Sequence, residues 1–499
     1  MSQMITVLYD CRSKQEYIYR TNKIREIAGG SALLANVYNL FIEKCMENNI
    51  KIDSNWKEKK FSMHEFENSS FDGIVVYEGG GNLYVIFKYK EIYLEANKIF
   101  SKMLLKDTYS ISVIASCVET TDNFNADKKK LYEMNRYQKN LGINSIPCNS
   151  LPFTQLDKNT WMPVVKKESK SGNINMLSYE SQKKLEAYKK YCSVDEVNQS
   201  ENLDSLVWEK GEESLLAVIY IDGNAMGAKI KNLTKEINDY NKCVDKYREF
   251  SCSTDKIYVK EPIKAIENFL GEKRKISMER EFKKKDKDKN YKIKTQLNKY
   301  RKIISGGDEI TLICNARDAK DIVIEYFNSL SKHEGHASCA GVAIFHSHDP
   351  FSEIYKIAEA CCEQGKEKTR FSGSKDNYID FHYCHSGITN DLEKIRENQE
   401  KDLTLRPYKL EDFKKFCDYG NSISEIGRQN IKTLRDSYFE GESHFQFEIE
   451  RIISRYPNGK FKKLCEDFRD TKEFGKLIYD VSLVYDLWFA NEEELDEAN

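Results

Sequence analysis

What this 499-residue chain lacks narrows it first. It has no long apolar run. The longest, Leu215 to Ile221, falls far short of the ~20 residues a helix needs to cross a bilayer, so no membrane insertion is expected. Its 14 cysteines contain no C-x-x-C pair, and its first residues, Met1 to Leu8, form neither a basic n-region nor an apolar h-region. Both absences argue against a secreted disulfide scaffold and predict a reduced, cytoplasmic protein. No charge of one sign dominates either: 78 Lys and Arg face 80 Asp and Glu, for a net charge of -2, which says little about partners. The charges are nonetheless patterned, with a basic block around 273 to 302 and an acidic end at Glu492 to Glu497. A chain of this length holds two to four domains, at roughly 100 to 200 residues each.

What is there is a repeat. Met4 to Tyr9 reads as a strand, Ala32 to Met46 as a helix, and Phe71 to Tyr77 with Leu83 to Phe87 as a hairpin about Gly79-Gly80-Gly81-Asn82. A helix over about 90 to 106 and a strand at Tyr109 to Val118 complete the set. The same six elements recur downstream. They are a strand at Leu215 to Ile221, helical material from about 225, a hairpin about Ser305-Gly306-Gly307-Asp308-Glu309, a helix over about 317 to 331 and a strand at Ala337 to Phe345. Both opening strands end in aspartate, Asp10 and Asp222. The pattern predicts an α+β chain with two ferredoxin-like palm domains (βαββαβ) forming a pseudo-dimer, together with a connector and a helical C-terminal domain. The boundaries expected are 1-135 for the first palm, 136-210 for an irregular connector, 211-387 for the second palm with a basic insertion at about 240-302, and 388-499 for a helical domain without strands.

The two copies differ where chemistry would occur. Two glycines beside two carboxylates expose bare backbone and negative charge at one point, which suits metal-bridged phosphates. Asp222, Asp308 and Glu309 are therefore the candidate catalytic and metal-binding residues, for two Mg²⁺ or Mn²⁺ ions. The tip Gly79-Gly80-Gly81-Asn82 keeps the glycines but not the carboxylates, which makes it a poor metal site that still admits a nucleotide to the backbone. Ser305, Gly306, Gly307, Gly79, Gly80, Gly81 and Asn82 are the candidate nucleotide-binding residues on the two tips. Downstream, Asp349 is expected to cap a helix that has Pro350 at its first position and runs to about Arg370. On it, Lys366 is the candidate for holding a triphosphate. His346, His348, His382, Cys384 and His385 match no familiar zinc spacing and are expected to be ordinary core and edge residues. The basic block, with Tyr291 and Tyr300, suits either nucleic-acid phosphates or plain solvation.

Taken together, several segments resemble a known family. Tyr9-Asp10 through Gln15-Glu16-Tyr17-Ile18, Lys23 to Ser31, Gly79 to Asn82, Ile221 to Gly227 and Ser305 to Glu309 resemble the large polymerase-cyclase subunit of type III CRISPR effector complexes, whose tandem palms are related to GGDEF cyclases. The resemblance implies conversion of ATP, or other NTPs, to cyclic oligoadenylates in antiviral defence. It also implies metal on Asp222 and Asp308, an acceptor nucleotide on the first palm with Ser31 among its contacts, and RNA or effector subunits as partners. Glu309 stands where the family has a second aspartate, and neither the N-terminal histidine-aspartate nuclease domain nor a cysteine-rich zinc insertion is evident, which implies a shortened form. Two other readings stand beside this one: a catalytically quiet scaffold that binds RNA or nucleotide, and a diguanylate-type cyclase using GTP.

Overall fold

The computed structural model describes residues 4–141, 151–170, 173–192, 206, 214–275, 300–373, 375–384, 391–400, 402–468 and 471–490. Tyr291 and most of the basic block, His385 and the acidic end lie outside the described residues. The chain is mixed α+β and divides into two compact units. The first comprises Met1–Asn202, Ala225–Lys260 and Lys302–Glu309; the second comprises Leu203–Asn224, Glu261–Arg301 and Ile310–Asn499.

In the first unit the strands are β1 (Ile5–Arg12), β2 (Ile52–Asp53), β3 (Gly73–Gly79), β4 (Asn82–Phe87) and β5 (Ser112–Glu119), in the sheet order β2-β3-β4-β1-β5. β1 is antiparallel to both neighbours, which sets Asp10 opposite Asn82 on β4 and opposite Ile114 on β5. The helices are α1 (Lys14–Tyr19), α2 (Ile24–Glu47), α3 (Met63–Asn68), α4 (Lys90–Met103) and α5 (Phe124–Asn140). An aromatic cluster fills the space between sheet and helices. Phe41 stacks on Phe100 at 4.3 Å, and Tyr9 meets both rings edge-on at 5.3 Å.

α2 begins well ahead of the position the apolar spacing suggests, running straight through Gly29-Gly30. The cause is a tertiary contact. A Cβ on Gly29 would lie 1.8 Å from the Lys184 carbonyl oxygen, so only glycine lets α6 (Tyr179–Tyr191) press against α2. The segment expected as an irregular connector thus contributes ordered structure to this unit: the hairpin of β6 (Val164–Lys170) and β7 (Asn173–Ser178), followed by α6 close to its expected place. Buried charge fixes the seam. The Lys184 ammonium donates to Glu180 at 2.7 Å, Arg20 reaches the same carboxylate at 2.6 Å, and Ser181 donates to Glu26 at 2.9 Å. Buried ions are retained only when paired in this way.

Two further helices belong to this unit, α7 (Met226–Asn232) and α8 (Tyr240–Asp255). Arg248 on α8 is buried and donates to the carbonyls of Val75, Val76 and Lys59 at 2.8 Å each, clamping the helix to the edge of β3.

The second sheet is ordered β13-β12-β11-β8-β10-β9, and its β8 (Leu215–Gly223), like the helix α9 (Glu261–Lys275), belongs to the second unit. Here β9 is Tyr300–Gly306, β10 Glu309–Asn315, β11 Ser338–His346, β12 Tyr378–Tyr383 and β13 Tyr408–Lys409. β13 corrects the expectation of a strandless C-terminal region: its two residues, too few to show a period-two pattern, pair with Tyr378 and Ile379. α10 (Ala319–Leu330) precedes β11, and α11 (Phe351–Phe371) lies across β11, β12 and β8. Gly341 marks the crossing, because a Cβ there would meet the Ala358 carbonyl oxygen at 1.9 Å. Asp349 does not cap α11. Pro350 holds the cap position, and Asp349 instead accepts from the backbone N–H of His346 at 2.9 Å, which closes the preceding turn.

Beyond α12 (Leu392–Gln399) come α13 (Leu410–Ile423), α14 (Gly427–Glu440), α15 (Glu442–Arg455), α16 (Lys460–Asp467) and α17 (Thr471–Trp488), a helical C-terminal region. Its anchor is a buried charge cluster: Arg396 on Asp380 at 2.6 Å, and Arg406 on both Glu400 at 2.8 Å and Asp480 at 3.1 Å. Among the described residues no helix is long and apolar enough to cross a membrane.

Candidate functional site

The carboxylate-bearing tip is a tight turn. β9 ends at Gly306 and β10 starts at Glu309, leaving Gly307 and Asp308 between them. Gly307 has φ +66°, a left-handed conformation that favours glycine. Gly306 is exposed, and a Cβ built on it would meet nothing within 4 Å, so the tip offers bare backbone. Ser305, Asp308 and Glu309 are half-buried. Lys229, on α7, feels the charge of Asp308 and is a residue that the sequence reading did not name. Burial lowers its pKa and the charge of Asp308 raises it, and its ammonium donates to the Tyr258 hydroxyl at 3.2 Å.

Asp222 stands near the end of β8, opposite Cys339 on β11. Lys366 donates to its carboxylate. Burial pulls the Lys366 ammonium down, but Asp222 outweighs that and leaves its pKa above the usual lysine range. The pairing follows from how α11 is seated. Gly365 lies against Cys339 and Tyr378, with a built Cβ 3.3 Å and 3.1 Å from their Cβ atoms, so its neighbour Lys366 comes to rest beside the end of β8. Asn224 holds the chain beyond Asp222 by two bonds, from its N–H to Ala337 at 2.8 Å and from its side chain to the Asp376 carbonyl at 2.9 Å.

Asp222 and Lys366 belong to the second unit, and Asp308, Glu309 and Lys229 to the first. Among the described residues no group of three or more His, Cys, Asp and Glu side chains is gathered as a metal cluster. Within the first unit the tip carries the carboxylate oxygens of Asp308 and Glu309, donors of the kind that suit a hard cation, and within the second unit an ammonium sits on the Asp222 carboxylate.

The other tip is built differently. β3 ends at Gly79 and β4 starts at Asn82, with Gly80 and Gly81 both left-handed at φ +61° and +82°, the pattern of a two-residue hairpin turn. Tyr38 on α2 donates to the Gly81 carbonyl at 2.7 Å and to that of Tyr9 at 3.1 Å, tying the turn to β1. Asp10 is paired with Lys139 at 2.5 Å, and the Lys14 ammonium donates to the Gly80 carbonyl at 2.9 Å. The Asn82 side-chain oxygen is buried without a hydrogen-bond partner. Within this same unit the two tips approach: a Cβ on Gly307 would lie 3.9 Å from the Gly80 backbone. Ser31 is half-buried on α2, two residues past the helix-packing glycine.

His346 and His348 stand ring to ring at 5.3 Å, and His382 is buried beside Glu400. Tyr300 donates to Glu267 at 2.8 Å.

No family model matches the chain, and no curated protein matches it. Solved structures do. The fold is that of the polymerase-cyclase subunit of type III CRISPR effector complexes, as the family resemblance implied. The particular neighbour is Csm1. Csm1 of T. onnurineus is similar over 97% of this chain and 70% of its own, with a TM-score of 0.53 at 11% identity. The Csm1–Csm4 cassette is similar without ligand (TM-score 0.53, 12% identity, 97% of this chain and 70% of that one) and in complex with pppApA (0.53, 13%, 98% and 70%).

Proposed function

We propose that this chain is a metal-dependent nucleotidyltransferase that joins ATP into a cyclic oligoadenylate second messenger, within a cytoplasmic CRISPR-type antiviral effector. The two sheets are then the two ferredoxin-like palms of a duplicated core. Leaving out their outer strands, both run in the order fourth-first-third-second of a βαββαβ unit: β5-β1-β4-β3 and β11-β8-β10-β9. The observation that carries the reading is the Gly306-Gly307-Asp308-Glu309 turn, an open, left-handed glycine tip flanked by carboxylates, at the start of the strand that neighbours β8 and its Asp222. The fold likeness supports it, since similar Csm1–Csm4 cassettes have been solved with one ATP, at TM-score 0.51, and with pppApA, at 0.53.

In this reading Asp222, Asp308 and Glu309 hold Mg²⁺ or Mn²⁺, which when bound supplies Lewis acidity for in-line displacement of pyrophosphate by a 3′-hydroxyl. Gly306 and Gly307 admit the triphosphate to the backbone, and Ser305 flanks it. Lys366, bonded to Asp222 in the free chain, would meet the departing phosphates, and Lys229 sets a positive charge near Asp308. Gly79, Gly80, Gly81, Asn82 and Ser31 bound the acceptor side. An effector subunit or RNA supplies the trigger.

The test is incubation of the full chain with ATP and Mn²⁺ or Mg²⁺ in the presence of candidate RNA triggers, followed by chromatography of the products. Cyclic adenylates are expected, with loss of about a hundredfold or more in Asp222→Ala and Asp308→Ala. Unchanged product in both variants would refute the site. Tight, salt-dependent RNA binding without turnover under any trigger would point to the quiet scaffold instead.

A further inference from the structure

The first unit carries a cavity that the proposed chemistry leaves unused. It has a volume of about 200 Å³ and lies between the edge strand β2, the segment leading into α3, α3 itself, β3 and Arg248 on α8. A dry cavity of ~150 Å³ holds one benzene ring, so one ring with a small substituent fits here. The lining is mixed. Trp56 and Phe66 are buried aromatic rings and Phe71 is half-buried. The charged groups are Arg248, Lys59 and Lys60 against Asp53 and Glu65. Of these carboxylates Asp53 is already engaged, accepting from the backbone N–H of Asn55 at 3.0 Å. Two polar groups are buried here without the partner their chemistry calls for. Arg248 is 6% exposed and gives three of its five N–H donors to backbone carbonyls. Among the described residues no carboxylate lies within ion-pair distance of it. Asp245 and Asp53 attract it from farther off, but burial outweighs them and lowers its pKa. Trp56 is also 6% exposed, and among the described residues its indole N–H donates to no acceptor.

We propose that this cavity is a binding site for a small aromatic carboxylate, with its ring among Trp56, Phe66 and Phe71 and its negative charge answering Arg248, Lys59 and Lys60. The carboxylate supplies both things the lining lacks, an acceptor for the indole N–H and a counter-charge for the buried guanidinium. An uncharged ring would leave that charge unmet. A cationic ring would meet three cations and a carboxylate that is already engaged. The volume is below the ~300 Å³ at which pockets for drug-sized ligands begin, which points to a one-ring ligand rather than a nucleotide. Helix α8 gives the site a bearing on the first glycine tip. Arg248 lines the cavity, and Ser251, on the same helix, donates to the Glu78 carbonyl at 2.7 Å, directly before Gly79.

The test is a ligand-detected NMR titration of the full chain with benzoate. Benzamide serves as the uncharged control of the same shape, and benzylamine as the cationic one. Saturable binding of benzoate is expected, about tenfold or more tighter than either control. It should weaken about threefold or more in Trp56→Phe, which keeps a ring and removes the N–H donor. The same loss is expected in Lys59→Gln with Lys60→Gln, whose side chains are exposed. Arg248→Met should abolish binding; should that variant fail to fold, the other two carry the test. The proposal is overturned if benzoate shows no saturable binding, if benzamide or benzylamine binds as tightly, or if either Trp56→Phe or the lysine pair leaves the affinity unchanged. The titration contains no nucleotide, so its outcome and that of the cyclase reading are independent.

Discussion

The ammonium of Lys366 is hydrogen-bonded to the carboxylate of Asp222, across 144 positions of sequence. The strand-end aspartate of the second sheet is therefore balanced by a residue that the proposed mechanism also needs for phosphate. In the proposed mechanism a cation held at Asp222 would compete with that ammonium, which would then be free to meet a triphosphate.

Lys366→Ala separates the two roles. Asp222 loses its competing counter-ion, so the Mn²⁺ concentration giving half-maximal product formation should fall. The maximal rate should drop about tenfold or more for want of phosphate stabilisation. Rate against Mn²⁺ concentration reads both effects, and a variant with unchanged maximal rate would show that Lys366 only balances Asp222.

Two glycine substitutions should have opposite consequences. Gly29→Ala drives a methyl group into the Lys184 carbonyl 1.8 Å away, and should cost about 2 kcal/mol or more in denaturant unfolding. Gly306→Ala meets nothing within 4 Å and should leave stability within about 0.5 kcal/mol while lowering product formation, because it crowds the face a nucleotide approaches. A stable and fully active Gly306→Ala would remove the tip from the site.

Acid should loosen the second unit through His382. Burial outweighs the attraction of Glu400 and lowers its pKa from 6.5 to about 4, so the folded chain keeps it neutral where an unfolded chain would protonate it. The contribution is complete above about pH 6.5 and is lost as pH falls toward 4, amounting to about 3 kcal/mol at most. Unfolding curves between pH 7 and 4 should show a shallower decline for His382→Gln than for the unsubstituted chain. Equal declines would place the acid sensitivity elsewhere.

The strands and both glycine tips were legible because period-two apolar runs and left-handed turns are written locally, as in Val7, Tyr9 and Gly80 or Ile219, Ile221 and Gly307. The cations that distinguish the tips were not. Lys139 reaches Asp10 from the end of α5, and Lys14 reaches Gly80 from α1, across separations no local pattern records. The start of α2 was hidden for the same reason: Gly29-Gly30 looks like a helix breaker until α6 is packed against it. The ordered part of the segment after residue 136 depends on buried polar contacts such as Arg20 to Glu180, 160 positions apart. Asp349 carried a capping signature that a nearer acceptor role at His346 outcompeted.

The most direct measurement is the mass of whatever the full chain makes from a mixture of ATP, GTP, CTP and UTP with Mn²⁺ or Mg²⁺, in the presence of candidate RNA triggers. A ladder of cyclic products built from adenylate alone, absent in Asp308→Ala, is the predicted result. A cyclic guanylate dimer, or no product under any trigger with the chain folded and ATP bound, would contradict it.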